Sequence, residues 1–121
     1  MAKVNTFREL VAWQKAMELA KLVYRLTVKM PREEQFGLTN QMRRAAVSIP
    51  SNIAEGFGRQ SRPDLIKYLR IARGSLNELS TQTQLALDLN MLTDISQLSP
   101  AVAEVDRILQ GLIRSLERKR P

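Results

Sequence analysis

The chain has 121 residues and a mass of 13.8 kDa, with an apolar fraction of 44% and a charged fraction of 26%. These are the dimensions of one soluble globular domain, able to bury roughly two-thirds of its unfolded surface. The absence of Cys and His excludes disulfide frameworks, thiolate nucleophiles, imidazole bases, Ser-His-Asp triads and metal centres ligated by His or Cys. Lys and Arg number 19 against 12 Asp and Glu, a net charge of +7 with a pI near 10.4, and thirteen of the 19 are Arg. Arg suits bidentate phosphate contacts better than Lys, and this balance favours a polyanionic partner. No segment reaches the ~18–20 apolar residues of a membrane span. The opening decapeptide MAKVNTFREL lacks the apolar stretch and cleavage site of a signal peptide. The expected setting is the cytoplasm, with no membrane partner.

Helical periodicity predicts a first helix over about 7–30, free of Gly and Pro, with Leu10, Trp13, Met17, Ala20, Tyr24 and Val28 on one face. Ala16, Val23 and Leu26 widen that face to about half the circumference, more than one core needs. Pro31 and the polar run after it end the helix; Glu33 and Glu34 fall in this loop with no partner for acid–base work. A second helix is expected over about 39–57, with Met42, Ala45, Ile49 and Ile53 in register and Pro50 inside it. Pro50 either kinks this helix or splits it. Gly56 and Gly58 mark its end and allow a left-handed turn. Ser48, Ser51 and Asn52, with Glu55 a turn later, read as repair of the Pro50 region rather than as a polar site.

The third helix, about 62–90, opens on Ser61 as cap and Pro63 in its first turn. Leu65, Leu69, Ala72, Leu76, Leu79, Thr83 and Ala86 form its seam, while Ile71, Leu85 and Leu89 lie on a second strip. The fourth, about 94–118, carries Leu98, Val102, Val105, Leu109, Leu112 and Leu116 and leads into the basic tail Arg118-Lys119-Arg120. Gly74 and Gly111 interrupt helices, and close approach of a neighbouring backbone is the simplest reason for them.

Four amphipathic helices with short links, and no hairpin signal, define an all-α fold: a single domain spanning 1–121, built as an antiparallel up-down-up-down four-helix bundle. The surplus apolar strips either widen the core or form an oligomer interface, for which Ile71, Leu85, Leu89, Val23 and Leu26 are the candidates. The candidate nucleic-acid-binding residues are Arg43, Arg44, Arg59, Arg62, Lys67, Arg70 and Arg73, which stand against only Glu55 and Asp64 between positions 41 and 75. Lys67, Arg70 and Arg73 recur every three residues, as a ridge that can follow a phosphate backbone. The competing reading is a solvated face, or ion pairs between subunits through Glu18, Glu78 or Glu104. With one Trp, two Tyr and three Phe, a base-stacking platform is not expected, and Trp13 and Tyr24 are assigned to core faces. No catalytic site, metal site or cofactor is expected.

Three blocks carry a resemblance. Ser48-Ile49-Pro50-Ser51-Asn52-Ile53-Ala54-Glu55-Gly56-Phe57-Gly58-Arg59 resembles the central signature of the bacterial four-helix bundle proteins encoded in intervening sequences of large-subunit ribosomal RNA genes. Tyr68-Leu69-Arg70-Ile71-Ala72-Arg73-Gly74-Ser75-Leu76-Asn77-Glu78-Leu79 resembles the second signature, and Phe7 to Ala16, with its Leu10-x-x-Trp13 step, resembles the family's start. The resemblance implies a ring-like homo-oligomer, a homopentamer in members studied structurally. A related group, the accessory variability determinant proteins of diversity-generating retroelements, is also a basic pentamer and binds nucleic acid and a reverse transcriptase. The expected function is therefore a non-catalytic oligomeric scaffold that binds nucleic acid, structured RNA ahead of DNA, through salt-sensitive phosphate contacts. The alternative is an adaptor whose basic surface docks an acidic partner protein such as a reverse transcriptase.

Overall fold

The computed structural model describes residues 4–118, which form four α-helices and two short 3-10 turns. Helix α1 spans Val11–Thr27, α2 Leu38–Gly58, α3 Arg62–Asp88 and α4 Leu98–Arg118. Consecutive helices pack on one another and α1 closes onto α4, giving the up-and-down square expected of short connections. Lys119 and Arg120 of the basic tail lie outside the described residues.

Each helix end has a local cause. The expected first helix is two pieces: a 3-10 turn over Phe7–Glu9, capped by the Thr6 hydroxyl, and α1 after an extended Leu10 (φ −73°, ψ 127°). Phe7 folds back edge-on against Trp13, with ring centroids 5.3 Å apart. At the far end the Thr27 hydroxyl donates to the Val23 carbonyl at 2.7 Å. This back-bonding is common where helices weaken. Helix α2 starts where the Glu34 carboxylate accepts the amide of Leu38 at 2.9 Å, so this loop carboxylate caps a helix.

Helix α2 runs unbroken through Pro50. Asn52 Nδ2 donates to the Ser48 carbonyl at 2.8 Å and to its hydroxyl at 2.9 Å, and that hydroxyl meets Ser75 Oγ of α3 at 2.7 Å. The polar residues around Pro50 thus brace the helix and tie it to its neighbour. The left-handed residue that ends α2 is Gln60 (φ 59°), and no glycine has positive φ, which corrects the role expected of Gly56 and Gly58. Gly56 serves packing: a Cβ there would lie 2.7 Å from Tyr68 Cβ and 3.4 Å from Leu65 Cα. Ser61 caps α3 by accepting the Asp64 amide at 3.2 Å, and Asn90 (φ 60°) follows its end. Helix α4 starts at Leu98 rather than near 94, because Asp94 accepts the Ser96 amide and holds a turn there.

The core lies along the bundle axis. It takes Ala12, Ala16, Leu19 and Val23 from α1, Met42, Ala46, Ile49 and Ile53 from α2, Leu69, Ala72, Leu76 and Leu79 from α3, and Leu98, Val105, Leu109 and Ile113 from α4. Each such Leu or Ile contributes about 1.5–3 kcal/mol when taken out of water. The α3 seam is buried as expected from Leu69 to Ala86, with Leu65 partly buried at its start, but the α1 face is not the one its largest side chains suggest. Tyr24 and Val28 are exposed, Trp13 packs at the edge of the core, and Met17 is half-buried. Val23 is fully buried in the core of its own chain and has no area to offer a second subunit, which removes it from the interface candidates; Leu26 is half-buried against the same core. No described helix is long and apolar enough to cross a membrane.

Candidate nucleic-acid interface

The seven cations singled out between α2 and α3 divide by what they touch. Arg43 is a rivet between α1 and α2. Its Nε donates to Thr27 Oγ1 at 2.8 Å, and its guanidinium lies 4.6 Å above the Tyr24 ring. Arg59 donates to Glu55 Oε2 at 2.9 Å and to the Tyr68 hydroxyl at 2.8 Å, across the ring of Tyr68. The hydrogen bond it donates to Glu55, and then the field of Tyr68, hold this guanidinium above its ordinary pKa. Glu55 is thereby committed to Arg59 rather than to a polar site around Pro50.

Arg70 and Arg73 turn toward α4. Arg70 Nη2 donates to Glu117 Oε2, and Arg73 Nε donates to Asp106 Oδ1 at 2.8 Å. The hydrogen bond from Arg73 is the main reason the Asp106 carboxyl titrates below the usual range, against a smaller opposing effect of burial. These pairs lie within one chain, on carboxylates other than Glu18, Glu78 and Glu104. Of those three, Glu18 and Glu104 flank Lys15 of the same chain at 3.8 and 3.9 Å. Among the described residues Arg44, Arg62 and Lys67 form no ion pair, although Lys67 Nζ sits 5.8 Å from the Tyr68 ring centre. The structure therefore gathers Arg59, Arg62 and Lys67 at the α2–α3 corner, partly neutralises Arg70 and Arg73, and leaves Arg44 apart on α2.

Helix α4 supplies what sequence reasoning passed over. Arg107, Arg114 and Arg118 are exposed at steps of seven and four residues, which puts them on one face. The signal was present in their spacing, beside the more prominent apolar stripe. The two ion pairs set this part of α4 against the first half of α3. Together, residues 62–76 and 105–118 carry seven cations (Arg62, Lys67, Arg70, Arg73, Arg107, Arg114, Arg118) and three carboxylates (Asp64, Asp106, Glu117). Among the described residues no cluster of carboxylates could hold a metal ion.

A second feature lies on the opposite side of the molecule. Trp13, Met17 and Tyr24 of α1 and Val47, Pro50 and Ala54 of α2 line an open apolar groove of about 570 Å³, with Lys21 and Arg25 among its lining and no carboxylate. Tyr24 thus lies at a surface, with one face of its ring covered by Arg43.

The fold and this charge distribution define a small four-helix bundle with a cationic α3–α4 face. The chain belongs to the 23S rRNA-intervening sequence protein family, whose model matches residues 8–111. Among solved structures it is similar to a protein of unknown function from the S23 ribosomal protein family of Bacteroides thetaiotaomicron. The two share 26% identity and a TM-score of 0.78, over 85% of this chain and 98% of that one. No curated protein matches the chain.

Proposed function

We propose that this protein is a non-catalytic, self-associating scaffold that holds a nucleic acid through phosphate contacts on the α3–α4 face. The observation that carries the reading is the excess of guanidinium groups there, seven cations against three carboxylates. Exposed cations of this kind displace counterions from a polyanion without reading bases. On the α3–α4 face the one aromatic ring, Tyr68, is engaged by Arg59 and Lys67, which leaves no free platform for stacking there. Contacts are therefore electrostatic and weakly sequence-specific. The family's description ties such proteins to sequences intervening in 23S rRNA, which puts structured RNA ahead of DNA as the ligand.

The test is a salt titration of binding to a labelled RNA hairpin and to DNA duplexes of two unrelated sequences. The expected result is a log–log slope of magnitude about 3–5 for net neutralisation of that many phosphates, with little difference between the duplexes. Absence of binding at low salt overturns the reading, as does a salt-insensitive preference for one sequence.

A further inference from the structure

A pocket of about 310 Å³ opens between α3 and α4, where the cationic face ends. Leu76, Leu98 and Val102 form its apolar walls, and Asn77, Ser80, Gln84 and Ser99 give it a rim of amides and hydroxyls. No Lys or Arg lines it, and its one carboxylate, Asp106, is already held by Arg73 and Gln110. The wall also holds Thr83, which is only 6% exposed and whose hydroxyl has no hydrogen-bond partner in the protein. A buried orphan of this kind is a cost that a guest with a polar edge removes.

This lining specifies its guest. Aliphatic walls, neutral hydrogen-bonding groups and no free charge suit a small, uncharged molecule with donors and acceptors along its edge. The volume sits at the low end of the range of about 300–1,000 Å³ found for ligand pockets, enough for one heterocycle and too little for a polymer segment. Amide and hydroxyl groups include both donors and acceptors, so the rim does not demand one particular edge.

Placement narrows the choice further. Asn77 follows Arg73 by one turn of α3, and Asp106 belongs both to the pocket and to the bridge with Arg73. A strand held by the cations of residues 62–76 and 105–118 therefore runs up to the mouth of the pocket. The interface candidates Ile71, Leu85 and Leu89 are exposed on the far side of α3, so a contact through them leaves this mouth open.

We infer that the α3–α4 pocket receives one unpaired base of the nucleic acid held on the cationic face. This deepens the phosphate-contact reading and rests on it. It adds a preference for strands that carry an unpaired nucleotide, because a base stacked inside a duplex cannot enter a pocket. Sequence preference stays weak, since the rim does not select among the bases.

The test compares two labelled RNA duplexes with equal numbers of phosphates, one fully paired and one carrying a single bulged nucleotide. The full-length chain is expected to bind the bulged duplex roughly tenfold more tightly, the effect of one well-made base contact, with the same salt slope for both. Ser80→Leu and Ala103→Leu, at exposed positions lining the pocket, fill it without disturbing the helices. Each is expected to bring the bulged duplex down to the affinity of the paired one, with paired binding and melting temperature unchanged. Thr83→Val, which removes only the hydroxyl, is expected to reduce the preference several-fold while the melting temperature does not fall. Binding of neither duplex at low salt overturns the phosphate-contact reading and the pocket assignment together. Equal binding of the two by the wild type, or a preference that survives both leucine variants, overturns the pocket assignment alone.

Discussion

Arg73 of α3 donates through Nε to Asp106 of α4 across 2.8 Å, and the same carboxylate accepts from Gln110. The pair joins two helices and keeps the Asp106 pKa below its ordinary value. The folded carboxyl is the stronger acid, so its contribution to stability is fully present above the unfolded pKa of about 4. That contribution is lost as pH falls through the folded value. Both side chains are partly exposed, at 37% and 29%, which limits the pair to about 0.2–1 kcal/mol. Asp106→Asn is expected to lower stability by that amount at pH 7 and to narrow its gap to wild type near pH 3. Urea unfolding at the two pH values measures this; an unchanged gap means the pair does not set the titration.

Position in the basic segment groups Arg43 with the phosphate-binding candidates, but its geometry is structural. Arg43→Ala removes a hydrogen bond to buried Thr27 and a cation–π contact with Tyr24, with an expected loss of about 1–2 kcal/mol. Arg62→Ala, at a position with no ion pair among the described residues, is expected to change stability by under about 0.5 kcal/mol. Thermal or urea unfolding of the two variants separates the roles, and equal losses contradict this division.

Much of the fold is legible in the sequence. The α3 seam from Leu69 to Ala86 reads as a heptad because its apolar positions are its buried ones. Ser61 and Pro63 place the start of that helix within a residue. Helix α1 is where periodicity misleads. Its apolar arc is wider than the core requires, so spacing alone does not say which half turns inward, and the bulk of Trp13 and Tyr24 points to the wrong half. The core side uses Ala12 and Ala16 because small residues let the helices approach. The candidate site is less legible for a different reason. The i, i+3 spacing of Lys67, Arg70 and Arg73 is a local property, whereas Asp106 and Glu117, which neutralise two of the three, come from some 30 to 50 residues away.

The glycines make opposite predictions. At Gly56 an added methyl would sit 2.7 Å from Tyr68 Cβ and 3.4 Å from the Leu65 backbone, so α2 and α3 must move apart. Gly56→Ala is expected to destabilise by about 1–3 kcal/mol. At Gly111 the same methyl meets nothing within 4 Å, and Gly111→Ala is expected to stabilise by up to about 1 kcal/mol through helix propensity. Unfolding midpoints of the two variants decide it; a gain at Gly56 would mean that the helices do not pack as closely there.

Charge reversal tests nucleic-acid binding only where it leaves the fold alone. Arg70→Glu with Arg73→Glu would set new carboxylates beside Glu117 and Asp106, so loss of binding in that variant would confound affinity with repulsion inside the bundle. Arg107, Arg114 and Arg118 are exposed and form no ion pair among the described residues. Replacing all three with Gln is expected to leave stability within about 0.5 kcal/mol per site. Each lost phosphate contact then lowers the salt slope by about 1 and weakens binding evenly across sequences. A fluorescence titration at several salt concentrations reads both quantities. Unchanged affinity and slope in this variant would move the nucleic-acid contact off α4, leaving the α2–α3 corner of Arg59, Arg62 and Lys67 as the surface to test next.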